Sequence, residues 1–379
     1  MPSLLYFDYN STTPIDPQAR AAMLPFLEHS FGNPSNSYFL GRQAAEALEQ
    51  ARSEVAALLG ARSSEIIFTS GASESIRTAF HAALEANPKK KHLLSCTTEH
   101  QAVLACCHEY ERRGYQVTLL PVDAQGMLSL KALEEAITPS TALLSLLWAN
   151  NETGVIFPVE EIVAIAQRKK VPLHLDAVQA AGKIPINLEA LPIDYLSLAG
   201  HKIYASKGIG VLYVHRHAFY QPLFAGSQES ERRAGTQNMP AILSLGKAAQ
   251  LAKELLPAAM KREALLRDTL ERGLLEKISN LSLHGRKEYR LSNTTNLGIA
   301  GIQAAQALLL LDQEGLCCSA ASACHGSSRD PSHVLRAMHL TPAEALSSLR
   351  FSLGRFTTEE EIERALEIIP RVVKKLRSL

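Results

Sequence analysis

The chain has 379 residues, 46% hydrophobic and 20% charged, enough for two domains with at least one large core. Lys plus Arg number 39 against 38 for Asp plus Glu, a formal net charge of +1, so no whole-chain field favours nucleic acid or an anionic membrane. Six cysteines (Cys96, Cys106, Cys107, Cys317, Cys318 and Cys324) include two adjacent pairs, which suits reduced thiols and argues against a disulfide framework.

The first residues, "MPSLLYFDYNSTTP", lack the basic-then-apolar pattern of a secretory signal. Apolar runs such as "TALLSLLWA" fall far short of the ~18 residues of a membrane span, so a cytoplasmic protein is expected. The runs 65–70, 92–96, 117–122, 141–150, 172–177, 195–199 and 210–215 read as strands, several of them apolar on both faces. Helical patterns at 74–86 and 159–170 lie between them, and the alternation predicts an α/β fold with a mainly parallel sheet. After about residue 240 the pattern changes. Residues 241–278 read as a long helix, expected to break near Pro257. The last helix, in "TTEEEIERALEIIPRVVKKLRSL", is expected to be capped by Thr357, with acidic residues in its first turn and basic ones in its last. A smaller α+β domain at the C-terminus follows from this change.

Several strand ends carry candidate chemistry. Gly71-Ala72-Ser73 joins a strand to a helix, where free backbone N–H groups attract a phosphate and Ser73 adds a hydroxyl. An ordinary strand-to-helix turn looks the same. His100 follows the next strand and could stack on a flat cofactor, shuttle a proton, or simply be solvated. Cys96, Cys106, Cys107 and His108 nearby lack paired C-x-x-C spacing, so no metal site is expected. Asp176 ends an apolar strand, where parallel sheets place ligands. A carboxylate buried there needs a partner, such as a pyridinium nitrogen or an internal Arg. Gln179 follows towards the same pocket. Lys202 ends the next apolar strand, beside His201, and an amine in a partly apolar pocket forms a Schiff base with an aldehyde. Phosphate cradle, carboxylate and lysine together describe a pyridoxal phosphate site.

The chain resembles the cysteine desulfurases, pyridoxal-phosphate enzymes of the class V aminotransferase group. The motifs that carry the resemblance include "YFDYNSTTP", "GNPS", "IIFTSGASES", "TEHQAVL", "NNETGV", "HLDAVQAAGKIPI", "AGHKIYASKGIGVLYV", "RRAGTQN", "SACHGSSRDPSHVLRAM" and "SLRFSLGRFTTEEEI", in family order from residue 6 to about 362. It implies an aspartate-aminotransferase-like fold type I, with a mainly parallel seven-stranded sheet in the large domain. Residues 1–15 would pack with the small domain, 16–250 would form the large domain, and 251–379 the small one, carrying a catalytic-cysteine loop at about 319–331.

Roles are implied as well. Lys202 would bind the cofactor covalently, Asp176 pair with its ring nitrogen, and His100 stack on the ring and act in proton transfer. Asn151 and Gln179 would contact the ring hydroxyl side. Ala72, Ser73 and His201 would bind phosphate, with Thr236 reaching in from the neighbouring subunit of a homodimer. Arg350 would clamp the substrate carboxylate, and Cys324, beside His325, would be the nucleophile that carries sulfur as a persulfide. Cys317 and Cys318 read as buried small hydrophobes at a strand. The implied reaction converts L-cysteine to L-alanine and passes the sulfur to an acceptor protein, for iron–sulfur cluster assembly or another sulfur-transfer pathway. A selenocysteine lyase, another pyridoxal-phosphate lyase, or a non-catalytic partner-binding member are the alternatives.

The chain departs from the family pattern at Ala199, where Ser is usual, at Ser230-Glu231, where Arg-Gly is usual, and at Tyr38, where His is common, in a segment one residue short. It ends soon after "KKLRSL", so scaffold docking through a longer tail is not expected.

Overall fold

The computed structural model describes residues 4–320 and 330–378. It begins with a two-residue strand, β1 (Leu5–Tyr6). Seven strands among the described residues then share one sheet: β2 (Ile66–Thr69), β3 (His92–Cys96), β4 (Gln116–Leu120), β5 (Thr141–Leu147), β6 (Leu173–Asp176), β7 (Tyr195–Ala199) and β8 (Gly210–Val214). Their order is β2-β8-β7-β6-β5-β3-β4, and β8 alone among these strands runs against the direction of the rest. Alternation along each strand feeds two cores. Ile66 and Phe68 join one hydrophobic cluster, and Ile67 between them joins the other. Helix Ala72–Ala86 covers the second face, with Ile76, Phe80 and Leu84 turned into it. The strand ends at Asp176 and Ala199 therefore sit between two packed layers.

A second sheet uses β9 (Leu281–His284), β10 (Thr294–Ile299), β12 (Ser319–Ala320) and β13 (Ser348–Ser352), antiparallel in the order β12-β13-β10-β9 among the described residues. Strand β11 (Leu316–Cys317) instead pairs in parallel with β1. Leu5 and Phe7 enter the core of this smaller unit together with Leu297, Phe351 and Ile369. No described helix is long and apolar enough to cross a membrane.

Three local expectations are corrected. Helix Met239–Lys277 runs through Pro257 without a break. A helix-interior proline costs roughly 3 kcal/mol, but the two halves are held by different cores. Ile242, Leu245 and Ala249 sit in the first, Leu266, Leu270 and Leu274 in the second. Burial on both sides of Pro257 outweighs the lost backbone bond. Thr358, not Thr357, caps helix Glu359–Arg377, in a capping box with Glu361. Thr357 is spent on the preceding turn, accepting from the Gly354 N–H at 3.0 Å. Cys317 and Cys318 are half-buried, not buried, because β11 is two residues long and pairs with an equally short strand.

The Ser230-Glu231 departure falls on strained backbone. Glu229, Ser230 and Glu231 have φ of 50°, 56° and 66°, in the left-handed region that favours glycine. The segment is held there by Glu229, whose buried carboxylate takes a two-pronged ion pair from Arg52 at 2.7 and 3.0 Å and the Phe68 N–H at 3.0 Å. Glu231 is exposed. Glu231→Gly is therefore expected to raise stability by about 1 kcal/mol, seen as a higher denaturant midpoint at unchanged slope. An unchanged midpoint would show that the strain is relieved elsewhere.

Candidate active site

A cavity of about 610 Å³ opens at the C-terminal ends of β6 and β7. Parallel strands with helices on both faces leave such a crevice at this edge. Asp176 enters it from the end of β6 and Lys202 from the short turn Gly200–Lys202 after β7. The parallel pairing of Asp176 with Ser197 sets the two ends side by side. Ala72, Ser73, His100, Asn151, Gln179, His201 and Arg350 line the same space. Thr236 does not; it is exposed outside the cavity. Cys324 and His325 lie outside the described residues.

One end of the cavity is built for an anion. Helix Ala72–Ala86 starts there with its first N–H groups unspent by the helix. A Cβ at Gly71 would meet no described atom within 4 Å, so the space beside it is open. One at Gly210 would fall 2.5 Å from the Gly71 carbonyl carbon. Glycine at 210 is thus what lets β8 run under the cradle. Glu74 stiffens the loop by accepting from the Ser70 N–H at 2.8 Å and by pairing with Arg233 at 2.8 Å. That pair also moors the segment carrying Thr236. His201 adds a ring whose Nδ1 meets Thr12 Oγ1 at 3.1 Å. Burial, then the charges of Lys202 and Lys207, lower its pKa to about 4. Ala199 lines this region and offers no hydroxyl.

Asp176 is buried and accepts from the Val178 N–H at 3.0 Å. Burial raises its pKa, opposed by His100, by that N–H and by Lys202. A second carboxyl lies behind it. Glu99 accepts from the Leu147 N–H at 2.8 Å, and its Oε2 has no partner among the described residues. Burial pushes the Glu99 pKa well up, and the charge of Asp176 adds to this. Burial disfavours the charged form of both carboxyls, and Asp176 alone of the two has His100 and Lys202 opposing that effect. His100 caps helix Gln101–Arg112, its Nδ1 accepting from the Ala102 N–H at 3.1 Å. A neutral ring bonded this way carries its proton on Nε2. Desolvation by the cavity walls lowers its pKa, Asp176 opposing and Lys202 assisting.

Lys202 Nζ donates to the carbonyls of Asn10 and Ser11, both at 2.6 Å. Arg350 is buried, donating to Asp8 Oδ1 at 2.6 Å and to the Asn151 carbonyl at 3.0 Å. Its Nε has no hydrogen-bond partner among the described residues. Sequence reasoning missed Asp8 and Asn10, which bring the N-terminal segment into the site. Both lie in the quoted "YFDYNSTTP", but nothing in their spacing signals partners 173 and 342 residues away.

Comparison with known proteins gives a consistent neighbourhood. Residues 5–365 match the family model described as aminotransferase class-V. The chain is 48% identical to "Cysteine desulfurase 2" of Trichormus variabilis, covering 100% of this chain and 95% of the relative. It is 44% identical to "Cysteine desulfurase NifS" of Azotobacter vinelandii, covering 99% and 94%. A solved structure described as a NifS-like protein superposes with a TM-score of 0.92 at 34% identity, covering 99% of this chain and all of the other.

Proposed function

This chain belongs to the class-V aminotransferase family, and from that premise we propose that it is a pyridoxal-phosphate-dependent cysteine desulfurase, which converts L-cysteine to L-alanine and hands the sulfur to an acceptor protein. One observation carries the reading: a single cavity collects Lys202, Asp176, His100, an open helix N-terminus and the buried Arg350. The donor set fits the cofactor. The open cradle at Gly71–Ser73 with His201 would hold its phosphate, and the buried Asp176, otherwise bonded to one backbone N–H, would hold its ring nitrogen. Asn151 and Gln179 would meet the ring hydroxyl side.

When bound, pyridoxal phosphate supplies an aldehyde carbon and a ring that draws electrons from the substrate Cα. The chain supplies the rest. Arg350, in the cavity wall, orients substrate by its carboxylate. Lys202 Nζ would be the attachment amine and would act as the base for the Cα proton. His100 covers the ring and carries a proton on Nε2. Cys324 Sγ, as thiolate, attacks the substrate sulfur. The Sγ–S bond forms as the Cβ–S bond breaks with its electron pair staying on carbon, and a proton at Cβ and the return of the Cα proton from Lys202 complete alanine. The persulfide sulfur then passes to an iron–sulfur scaffold or another sulfur carrier. The enzyme is a homodimer, in which the exposed Thr236 of one protomer reaches the phosphate of its partner.

Protein loaded with pyridoxal phosphate is expected to gain a visible absorption band and to release alanine and sulfide from L-cysteine in equal amounts when a thiol is present. Protein that stays colourless, or releases no cysteine-dependent alanine, overturns the reading.

A further inference from the structure

Lys183 is a buried cation to which the reading above gives no task. It lies four residues beyond Gln179, in the run of turns that leaves β6. Its Nζ donates to Gln179 Oε1 and, at 2.8 Å, to Asn10 Oδ1. No carboxylate pairs with it directly among the described residues. Its partners are two amide oxygens, an unusual environment for a buried charge. Burial, then the charge of Lys202, lower its pKa to about 7, while the buried Glu263 opposes and Arg350 assists.

An ammonium can only donate. Each amide that touches it must turn its oxygen inward and its NH2 outward. Asn10 accordingly points Nδ2 at the Asn151 carbonyl (3.1 Å) and at Thr294 Oγ1 (2.8 Å). Gln179 points Nε2 at the Asn10 carbonyl (2.9 Å), the same oxygen that receives Lys202 Nζ at 2.6 Å. The acceptor-only carbonyls of Asn151 and Asn10 favour the same orientation from the other end of each amide, and the donor-only ammonium adds to it.

We propose that Lys183 is a positioning residue of this site: its ammonium fixes the polarity of the Gln179 and Asn10 side chains, so that Gln179 offers the cofactor an N–H and never an oxygen. This rests on the reading of the cavity as a pyridoxal phosphate site. The electronegative ring oxygen of the cofactor accepts from an amide N–H and is repelled by an amide oxygen. The same two contacts hold the Asn10 carbonyl, on which the Lys202 amine docks. Lys183 thus acts through Gln179 and Asn10, one contact removed from the cofactor.

The test compares Lys183→Met, Gln179→Ala and the double variant. The readouts are equilibrium binding of pyridoxal phosphate to the apo-protein and the position of the bound cofactor's visible band. Lys183→Met is expected to weaken binding about tenfold and to move the band, because the Gln179 oxygen loses its donor and its amide is freer to turn, while Asn10 Oδ1 keeps the Asn293 N–H at 3.1 Å. In the Gln179→Ala background the same change is expected to add less than about twofold. Should Met at 183 prevent folding, Lys183→Gln carries the same expectation, since its amide can donate or accept and so fixes neither neighbour. The proposal is overturned if the Lys183 variant lowers only the thermal midpoint of the apo-protein, leaving affinity and band unmoved, or if the two substitutions act additively. Wild-type protein that takes up no cofactor would overturn the functional reading itself, and this role with it.

Discussion

Lys202→Ala is expected to lower cysteine turnover by at least about 10³-fold, or roughly 4 kcal/mol of barrier, while leaving the fold intact. The size of the effect follows from two roles on one nitrogen. In the proposed reading the amine attaches the cofactor and takes the Cα proton, and a methyl group does neither. The fold should survive because Lys202 is only half-buried at the rim of an open cavity. Its two acceptors, the Asn10 and Ser11 carbonyls, differ in what remains to them. Asn10 keeps the Gln179 N–H at 2.9 Å, and Ser11 is exposed and can turn to water. Steady-state alanine formation, with thermal unfolding as the control, measures the effect. More than a tenth of wild-type turnover would remove Lys202 from the chemistry. Lys202→Arg should fare no better, since guanidinium is a poor base and cannot replace the attachment amine.

The parts of this site that were readable in sequence are those that obey short-range rules. Apolar runs gave the strands of the large sheet, and the strand-end rule put Asp176 and Lys202 at one edge before any contact was visible. The cradle at Gly71–Ser73 is similarly local. What escaped is non-local. Asn10 ties Lys183 and Lys202 to Thr294 and Ser352 across the two cores, and no periodicity records that. Pro257 misled because helix rules consider one helix alone, whereas two cores grip this one. Thr357 and Thr358 are adjacent and chemically alike, so only the turn that consumes Thr357 separates them. Cys317 and Cys318 sit in an apolar run, but the strand there is too short to bury them.

Cys324→Ala is expected to abolish sulfur release to background, a loss of at least about 10³-fold, yet to leave pyridoxal phosphate binding as it is. The described thiols make poor substitutes. Burial raises Cys96 and Cys106 to about 11 and Cys107 to about 12, so they stay protonated inside the large domain. Cys317 and Cys318 are more open, but burial first and then Asp312 and Asp8 for Cys317, or Asp8 and the neighbouring thiol for Cys318, disfavour their thiolates. The chain on either side of 321–329 is anchored at the cavity walls. Ser319 pairs with Arg350 in the small sheet. Ser332 donates to the buried Glu152 at 2.5 Å, next to Asn151, and His333 Nε2 meets the Glu99 carbonyl at 2.9 Å, next to His100. The described residues on either side of 321–329 thus lie next to Arg350 at one end and next to Asn151 and His100 at the other. In the proposed reading, removing the Cys324 sulfur removes the acceptor for the substrate's sulfur but none of the groups assigned to bind cofactor or orient L-cysteine. The variant should still show the absorption change that follows L-cysteine addition, and then stop. Mass spectrometry of wild-type protein after a single turnover should find one added sulfur on the peptide containing Cys324. Full turnover by the variant, or the added sulfur on Cys317 or Cys318 instead, would move the nucleophile to another thiol.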